Sequence, residues 1–185
     1  NRNELDLSNQ ISCENYIYKN KPDIIINSAA FTNVDNAEIE KELCFAINTK
    51  APITFANLIK EYGGKLLQIS TDYVFDGKQN FPYKVNQKLS PINFYGLSKA
   101  NCELNLKNLL VQDNQLCIIR TSWLMGLYGE NFATKMLQLL NERNEIKVVY
   151  DQISSPTTTF SLATAIWEII KLNNVYSHNR KLFPK

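Results

Sequence analysis

Short unbroken apolar runs, separated by longer stretches with helical spacing, organise this chain. Ile24, Ile25 and Ile26 fill the middle of Asp23–Asn27, Leu66, Leu67 and Ile69 follow the Gly63-Gly64 break, and Leu116 to Arg120 and Ile146 to Tyr150 repeat the pattern. Runs of this length bounded by turn residues are predicted as strands. The isoleucines of Asp23–Asn27 further predict a parallel strand buried on both faces. Helices are predicted between the runs: Asn9 to Lys19, a broken pair over Asn33 to Asn48 and Thr49 to Tyr62, Asn93 to Leu110, Asn131 to Asn141, and Phe160 to Leu172. Pro52 is tolerated at the start of its helix, where no backbone donor is lost. Along the helix from Asn93, Ala100, Leu104 and Leu106 are expected to face inward. Strands alternating with helices in this way predict an α/β fold built on a doubly wound parallel sheet.

The 185 residues suffice for one sizeable core, and 44% hydrophobic with 21% charged residues is ordinary globular composition. A net charge of +2 without a basic cluster gives no electrostatic case for nucleic acid or for a membrane. There is no 18-residue apolar run and no opening signal peptide. Cys13, Cys44, Cys102 and Cys117 lack metal-ligand spacing, and the single histidine, His178, lies in a polar tail. No metal site and no Ser-His-Asp hydrolase is expected from such a set, and the cysteines read as small core residues in a reducing cytoplasm.

Candidate chemistry collects where strands end. Ser70, Thr71 and Asp72 close one apolar run, at the edge where open α/β sheets bind ligands. Tyr95 and Lys99 are four apart, so a helix capped by Asn93 places them on one face. An ammonium there favours a phenolate: a shift of about 3 pKa units, or roughly 4 kcal/mol, brings a tyrosine near neutrality, and one charge at about 4 Å supplies that much. The same spacing also fits a solvated helix face. Small residues at Ala29 and Ala30 allow a flat ring to approach the backbone. Asp6 reads as a capping carboxylate, Asp35 and Glu38 as surface charge, and Glu103 as an exposed partner that Lys99 can reach. Trp123 has two uses, a core plug or a flat wall for a sugar, and the residues alone favour the core plug.

Ser70-Thr71-Asp72-Tyr73-Val74-Phe75-Asp76-Gly77, followed by Pro91-Ile92-Asn93-Phe94-Tyr95-Gly96-Leu97-Ser98-Lys99, resembles the extended short-chain dehydrogenase/reductases, and among them the dTDP-4-dehydrorhamnose reductase family. The resemblance runs from about Asp6 to Leu172. It implies a Rossmann-like fold and hydride transfer from NADPH or NADH to the 4-keto group of a nucleotide-linked 6-deoxyhexose, in a cytoplasmic protein that can form a homodimer. Thr71, Tyr95 and Lys99 match the catalytic set. Asp6 and Leu7 match positions at the adenine end of the cofactor, and Ala30, Phe31 and Thr32 positions on its nicotinamide side, with Tyr95 and Lys99 also against the cofactor. Thr71, Asp72 and Trp123 match substrate positions, and Asp151-Gln152 with Pro156-Thr157 a segment at the substrate mouth, with Ser154 near where the family usually has glycine.

Residues 1–172 are accordingly expected to form a partial NAD(P)-binding domain with part of the substrate mouth, and 173–185 an unassigned polar tail. No glycine precedes Gly63, so the glycine-rich turn that grips a pyrophosphate is expected upstream of Asn1, and the fold is expected to be truncated. Two other readings share these motifs. A nucleotide-sugar epimerase or dehydratase uses the same fold, although a dehydratase would show an Asp-Glu pair after the strand-end threonine, where this chain has Asp72 and Tyr73. The regulatory subunit of methionine adenosyltransferase, not itself a reductase, is similar over the Ser-Thr-Asp-Tyr-Val-Phe block.

Overall fold

A computed structural model of the chain describes residues 4–111 and 114–175. It divides into two compact units, one reaching Arg120 and the other starting at Thr121.

In the first unit, Asn9 accepts the Ser12 N–H at 3.0 Å and starts helix α1 (Gln10–Asn20) where the sequence places it. Lys21, with φ of 39°, ends that helix in a left-handed turn. Strand β1 (Ile24–Asn27) then pairs in parallel with β2 (Lys65–Thr71), in a register that runs from Ile24 opposite Lys65 to Asn27 opposite Gln68. A buried amide pair fixes this register, since Asn27 Nδ2 donates to Gln68 Oε1 at 2.8 Å. The third strand, β3 (Leu116–Thr121), lies on the other side of β2, giving the order β1-β2-β3. Among the described residues β1 has a neighbour on one side only. Ile26 is 40% exposed, so the strand is not buried on both faces.

The expected broken helix pair is broken more finely. Helices α2 (Val34–Ile39) and α3 (Lys41–Phe45) lead into a single π turn over Ala46–Lys50, and α4 (Ala51–Tyr62) follows with Pro52 in its first turn. The wider π turn rotates Asn48 and Thr49 into the interior, where both are buried. Gly63, with φ of 87°, ends α4 as only glycine does without strain. Ala56 and Ile59 of α4 pack with Leu66 of β2 and with Cys102 and Leu106 of α5 (Phe94–Leu109) as the main core.

Helix α5 departs from the expected pattern. Ala100 and Leu106 face inward, but Leu104 is 51% exposed. The interior face instead carries Tyr95, Ser98, Lys99 and Glu103, which the flanking strands and the π turn can hydrogen-bond. Glu103 is fully buried and pairs with Arg120 of β3, Nη2 to Oε2 at 2.6 Å, rather than forming an exposed pair with Lys99.

The second unit contains two short strands, β4 (Leu124–Met125) parallel to β5 (Thr157–Thr158), with helices α6 (Phe132–Glu142) and α7 (Thr159–Val175). Asn131 and Thr134 form a reciprocal capping box on α6. The predicted strand at Ile146 to Tyr150 does not form: Val148, Val149 and Tyr150 are exposed and no described strand lies beside them to complete a ladder. Helix α7 extends past Leu172, and the rest of the predicted polar tail, 176–185, lies outside the described residues.

Gly96 shows how tightly α5 meets the end of β2. A Cβ at this position would press into the carbonyl of Tyr73 and lie 3.1 Å from Pro91 Cβ. The obstruction is backbone, which cannot rotate away. Gly96→Ala is therefore expected to destabilise the fold by about 1–3 kcal/mol, as overpacking does, despite the better helix propensity of alanine. Urea unfolding at constant slope checks this.

Candidate active site

Strand β2 ends at Thr71, and the chain tightens at once into a 3₁₀ turn, Asp72–Val74. The Thr71 hydroxyl organises this corner. It accepts the Tyr73 N–H at 3.2 Å, donates to Asp72 Oδ1 at 3.2 Å, and lies beside the Tyr95 side chain. Capping the turn and meeting Tyr95 are thus compatible tasks for one side chain. Helix α5 presents Tyr95 because Asn93 caps it, accepting the Gly96 N–H at 2.7 Å, while Glu38 Oε1 accepts the Phe94 N–H at 2.7 Å. Glu38, expected as plain surface charge, is in fact part of this helix start. The Tyr95 ring meets Tyr73 edge to face at 5.6 Å and shares a cluster with Ala37 and Cys44, against which Phe31 packs.

The electrostatics differ from the sequence expectation. Burial pushes the Tyr95 hydroxyl up to about 12, against the lowering effect of the nearby Thr71 hydroxyl, and the charge of Asp72 also raises it. Lys99 lies one turn along, but its Nζ donates to the Ile69 carbonyl at 2.6 Å, and burial lowers its own pKa, opposed by Cys102, Glu103 and Cys44. In this state desolvation governs the Tyr95 hydroxyl. Tyr95 therefore keeps its proton through the neutral range, which is the form a proton donor requires.

A second polar group escaped the sequence reading. Asn48, turned inward by the π turn, clamps the main chain of Phe31 from both sides, accepting its N–H at 2.8 Å and donating to its carbonyl at 3.0 Å. The same amide donates to Ser98 Oγ at 3.0 Å, and Ser98 in turn donates to the Tyr95 carbonyl at 2.7 Å. Thr49 adds a bond to the Ser98 carbonyl at 2.7 Å. Adjacent polar residues inside an otherwise apolar helical stretch were the available signal. All four cysteines are free thiols whose pKa burial raises, to about 11 for Cys13 and Cys117 and about 12 for Cys102, so they remain neutral packing groups.

Asp6, Leu7, Ala30, Phe31 and Thr32 line one groove of about 750 Å³ beside β1 and its carboxyl end. That volume is within the range of cofactor clefts, about 300–1,000 Å³. Asp6 also holds the turn before α1, accepting from the Ser8 N–H at 2.9 Å and hydroxyl at 2.8 Å. Thr71, Tyr95 and Lys99 are not in its wall, and Phe31 joins the two groups through its packing beside Tyr95. The groove thus offers small residues and a fixed backbone to a flat ligand. Trp123, in the second unit, has φ of 45° and packs its ring 4.7 Å from that of Phe132. It is half-buried, neither a sealed core plug nor a fully exposed wall. Ser122 Oγ donates to the Ser155 carbonyl at 2.8 Å, tying the Trp123 turn to the Pro156-Thr157 segment. No group of residues able to hold a metal ion occurs among the described residues.

The family pattern described as the RmlD substrate binding domain matches residues 1–183. The chain belongs to this family. A dTDP-4-dehydrorhamnose reductase of Aggregatibacter actinomycetemcomitans is 38% identical over 90% of the chain and 55% of that protein. The spore coat polysaccharide biosynthesis protein SpsK of Bacillus subtilis is 41% identical over 88% and 56%. Among solved structures, dTDP-4-dehydrorhamnose reductase of Bacillus anthracis in complex with NADP superposes with a TM-score of 0.85 at 41% identity, covering 92% of this chain and 60% of that one. The chain thus spans somewhat more than half the length of the RmlD-family proteins it matches. This similarity bears out the predicted truncated, Rossmann-like parallel α/β fold.

The upward shift of Tyr95 is directly measurable. In a spectroscopic pH titration, subtracting a Tyr95→Phe variant from the parent isolates one phenol. Its ionisation is expected near pH 12 in the ligand-free chain, and a midpoint at or below the ordinary value of about 10 would show that burial does not govern this side chain.

Proposed function

We propose that the protein of which this chain is part reduces the 4-keto group of a nucleotide-linked 6-deoxyhexose, dTDP-4-dehydro-L-rhamnose to dTDP-L-rhamnose, as a dTDP-4-dehydrorhamnose reductase. The observation that carries the reading is the Thr71 hydroxyl beside a protonated, buried Tyr95, with Lys99 one turn away on the same buried helix face. When bound, NADPH or NADH would supply the hydride. Tyr95 would donate the proton to the carbonyl oxygen, and the Thr71 hydroxyl would orient that oxygen. Lys99, already desolvated, would meet the cofactor ribose beside Tyr95. Asp6 and Leu7 would face the adenine end and Ala30, Phe31 and Thr32 the nicotinamide side. Asp72 and Trp123 would position the sugar.

The names of the similar proteins favour a reductase over a regulatory subunit, and Asp72-Tyr73 after the strand-end threonine lacks the acidic pair expected of a dehydratase. We extend the proposal to a cytoplasmic location, in keeping with four free cysteines, and to a homodimer. No described helix is long and apolar enough to cross a membrane.

Two experiments check the assignment. In the full gene product, Tyr95→Phe is expected to abolish ketone reduction while cofactor affinity stays nearly unchanged, and Lys99→Met to weaken both. A Tyr95→Phe rate within about tenfold of the parent would remove Tyr95 as donor. Trp123→Ala is expected to raise the sugar KM and spare the melt, whereas a core plug would cost about 3–5 kcal/mol of stability.

The 185-residue chain itself lacks any glycine before Gly63 to build a phosphate-gripping turn. Its affinity for NADPH or NADH is accordingly expected in the millimolar range or weaker, about 4 kcal/mol at a Kd of about 1 mM, with no turnover. Titration calorimetry on the purified chain measures this, and micromolar binding would show that the turn is dispensable.

A further inference from the structure

The buried carboxylate of Glu103 is not used by the proposed chemistry, yet it lies at the junction of the elements that carry it. Its Oε1 accepts from Ser70 Oγ at 2.7 Å and from Arg120 Nε at 2.9 Å. Its Oε2 accepts from Arg120 Nη2 at 2.6 Å, with Lys107 Nζ at 3.5 Å. Ser70 immediately precedes Thr71, and Glu103 lies one turn beyond Lys99 on the same buried face of α5. Arg120 carries the connection outward. Its Nη1 donates to the Val85 carbonyl at 2.8 Å and its guanidinium lies 5.0 Å from the centre of the Phe75 ring. Phe75 stacks on Tyr83 at 4.2 Å, and the Tyr83 hydroxyl donates to Asp76 Oδ1 at 2.8 Å.

A carboxylate fully out of water is costly, and an apolar pair of the same volume usually serves stability as well or better. What an apolar pair cannot do is hold three elements at fixed hydrogen-bond distances. Burial raises the Glu103 pKa, but bonds from Arg120 and Ser70 and the charges of Arg120 and Lys107 bring it below the ordinary carboxylate range, so the group is ionised at neutral pH.

We propose that Glu103 is a positioning residue, which through Ser70 and Arg120 locks the end of β2, the Tyr95/Lys99 face of α5 and the loop over residues 76–90 into one rigid assembly. The catalytic consequence rests on the reductase reading above. Slack at Ser70 passes to Thr71, the next residue, and slack at Glu103 passes along one turn to Lys99. Arg120 makes the loop that follows Asp72 part of the same rigid body.

Kinetics on the full gene product test the positioning, and limited proteolysis tests the latch without relying on activity. Glu103→Gln keeps the shape of the side chain and removes its charge, whereas Ser70→Ala removes a single hydroxyl. Both are expected to lower kcat, by at least about tenfold and about fivefold respectively, with the KM for sugar and cofactor within about threefold of the parent. A structural role alone would lower the melt and leave kcat per folded molecule unchanged, and kcat within twofold of the parent in Ser70→Ala would overturn the positioning role even if Glu103→Gln fails to fold.

In the second arm, Arg120→Gln is expected to speed trypsin cleavage at Lys78, Lys84 and Lys88, exposed lysines of the loop, at least fivefold, with other sites unaffected. Unchanged loop cleavage overturns the latch. If the parent reduces no ketone, the reductase reading fails and the catalytic role of Glu103 fails with it, while accelerated loop cleavage in Arg120→Gln still upholds the latch.

Discussion

Helix α5 turns ionisable and polar side chains into the interior and leaves Leu104 in water. A face of that kind is stable only if every buried group finds a partner, because an unpaired one costs its full desolvation energy. The surrounding elements supply those partners: the Ile69 carbonyl for Lys99, Asn48 for Ser98, and Ser70 with Arg120 for Glu103, while the Thr71 hydroxyl lies beside Tyr95. Much of the first unit follows from this requirement. It fixes how β2 ends, why the segment before α4 widens into a π turn, and why glycine is needed at position 96, where the helix closes on the Tyr73 carbonyl.

The fold was largely legible where local chemistry decides it. Asn9, Asn93 and Asn131 each accept a backbone N–H three residues on, and the helices start there. The runs at Ile24, Leu66 and Leu116 form the sheet because each has a neighbour to pair with. Ile146 to Tyr150 has equal apolarity but no described partner strand, and strand formation is a property of pairs that composition cannot reveal. Leu104 was misread for a related reason: helical spacing ranks residues by apolarity, whereas here the hydrogen-bonding capacity of neighbouring elements decides which face is buried.

At the candidate site, motifs identified Thr71, Tyr95 and Lys99, and the structure places Thr71 against Tyr95 with Lys99 on the same helix face. Spacing could not give the direction of the Tyr95 shift. The distance between residues four apart suggests a Coulomb effect of the lysine, but only the three-dimensional surroundings reveal the desolvation that governs Tyr95 and the Ile69 carbonyl that takes the Lys99 ammonium. Asn48 and Glu38 were missed because their roles are toward segments distant in sequence, the main chain at Phe31 and at Phe94.

The clamp of Asn48 on Phe31 has an evolutionary implication. Both amide bonds are made to backbone atoms, the N–H and the carbonyl of residue 31, and neither involves the phenyl ring. The course of the groove wall at this point is therefore independent of which side chain it displays. A lineage can exchange Phe31 for a smaller, larger or polar residue and so reshape what the groove admits, while the path of the main chain beneath stays pinned by the same asparagine.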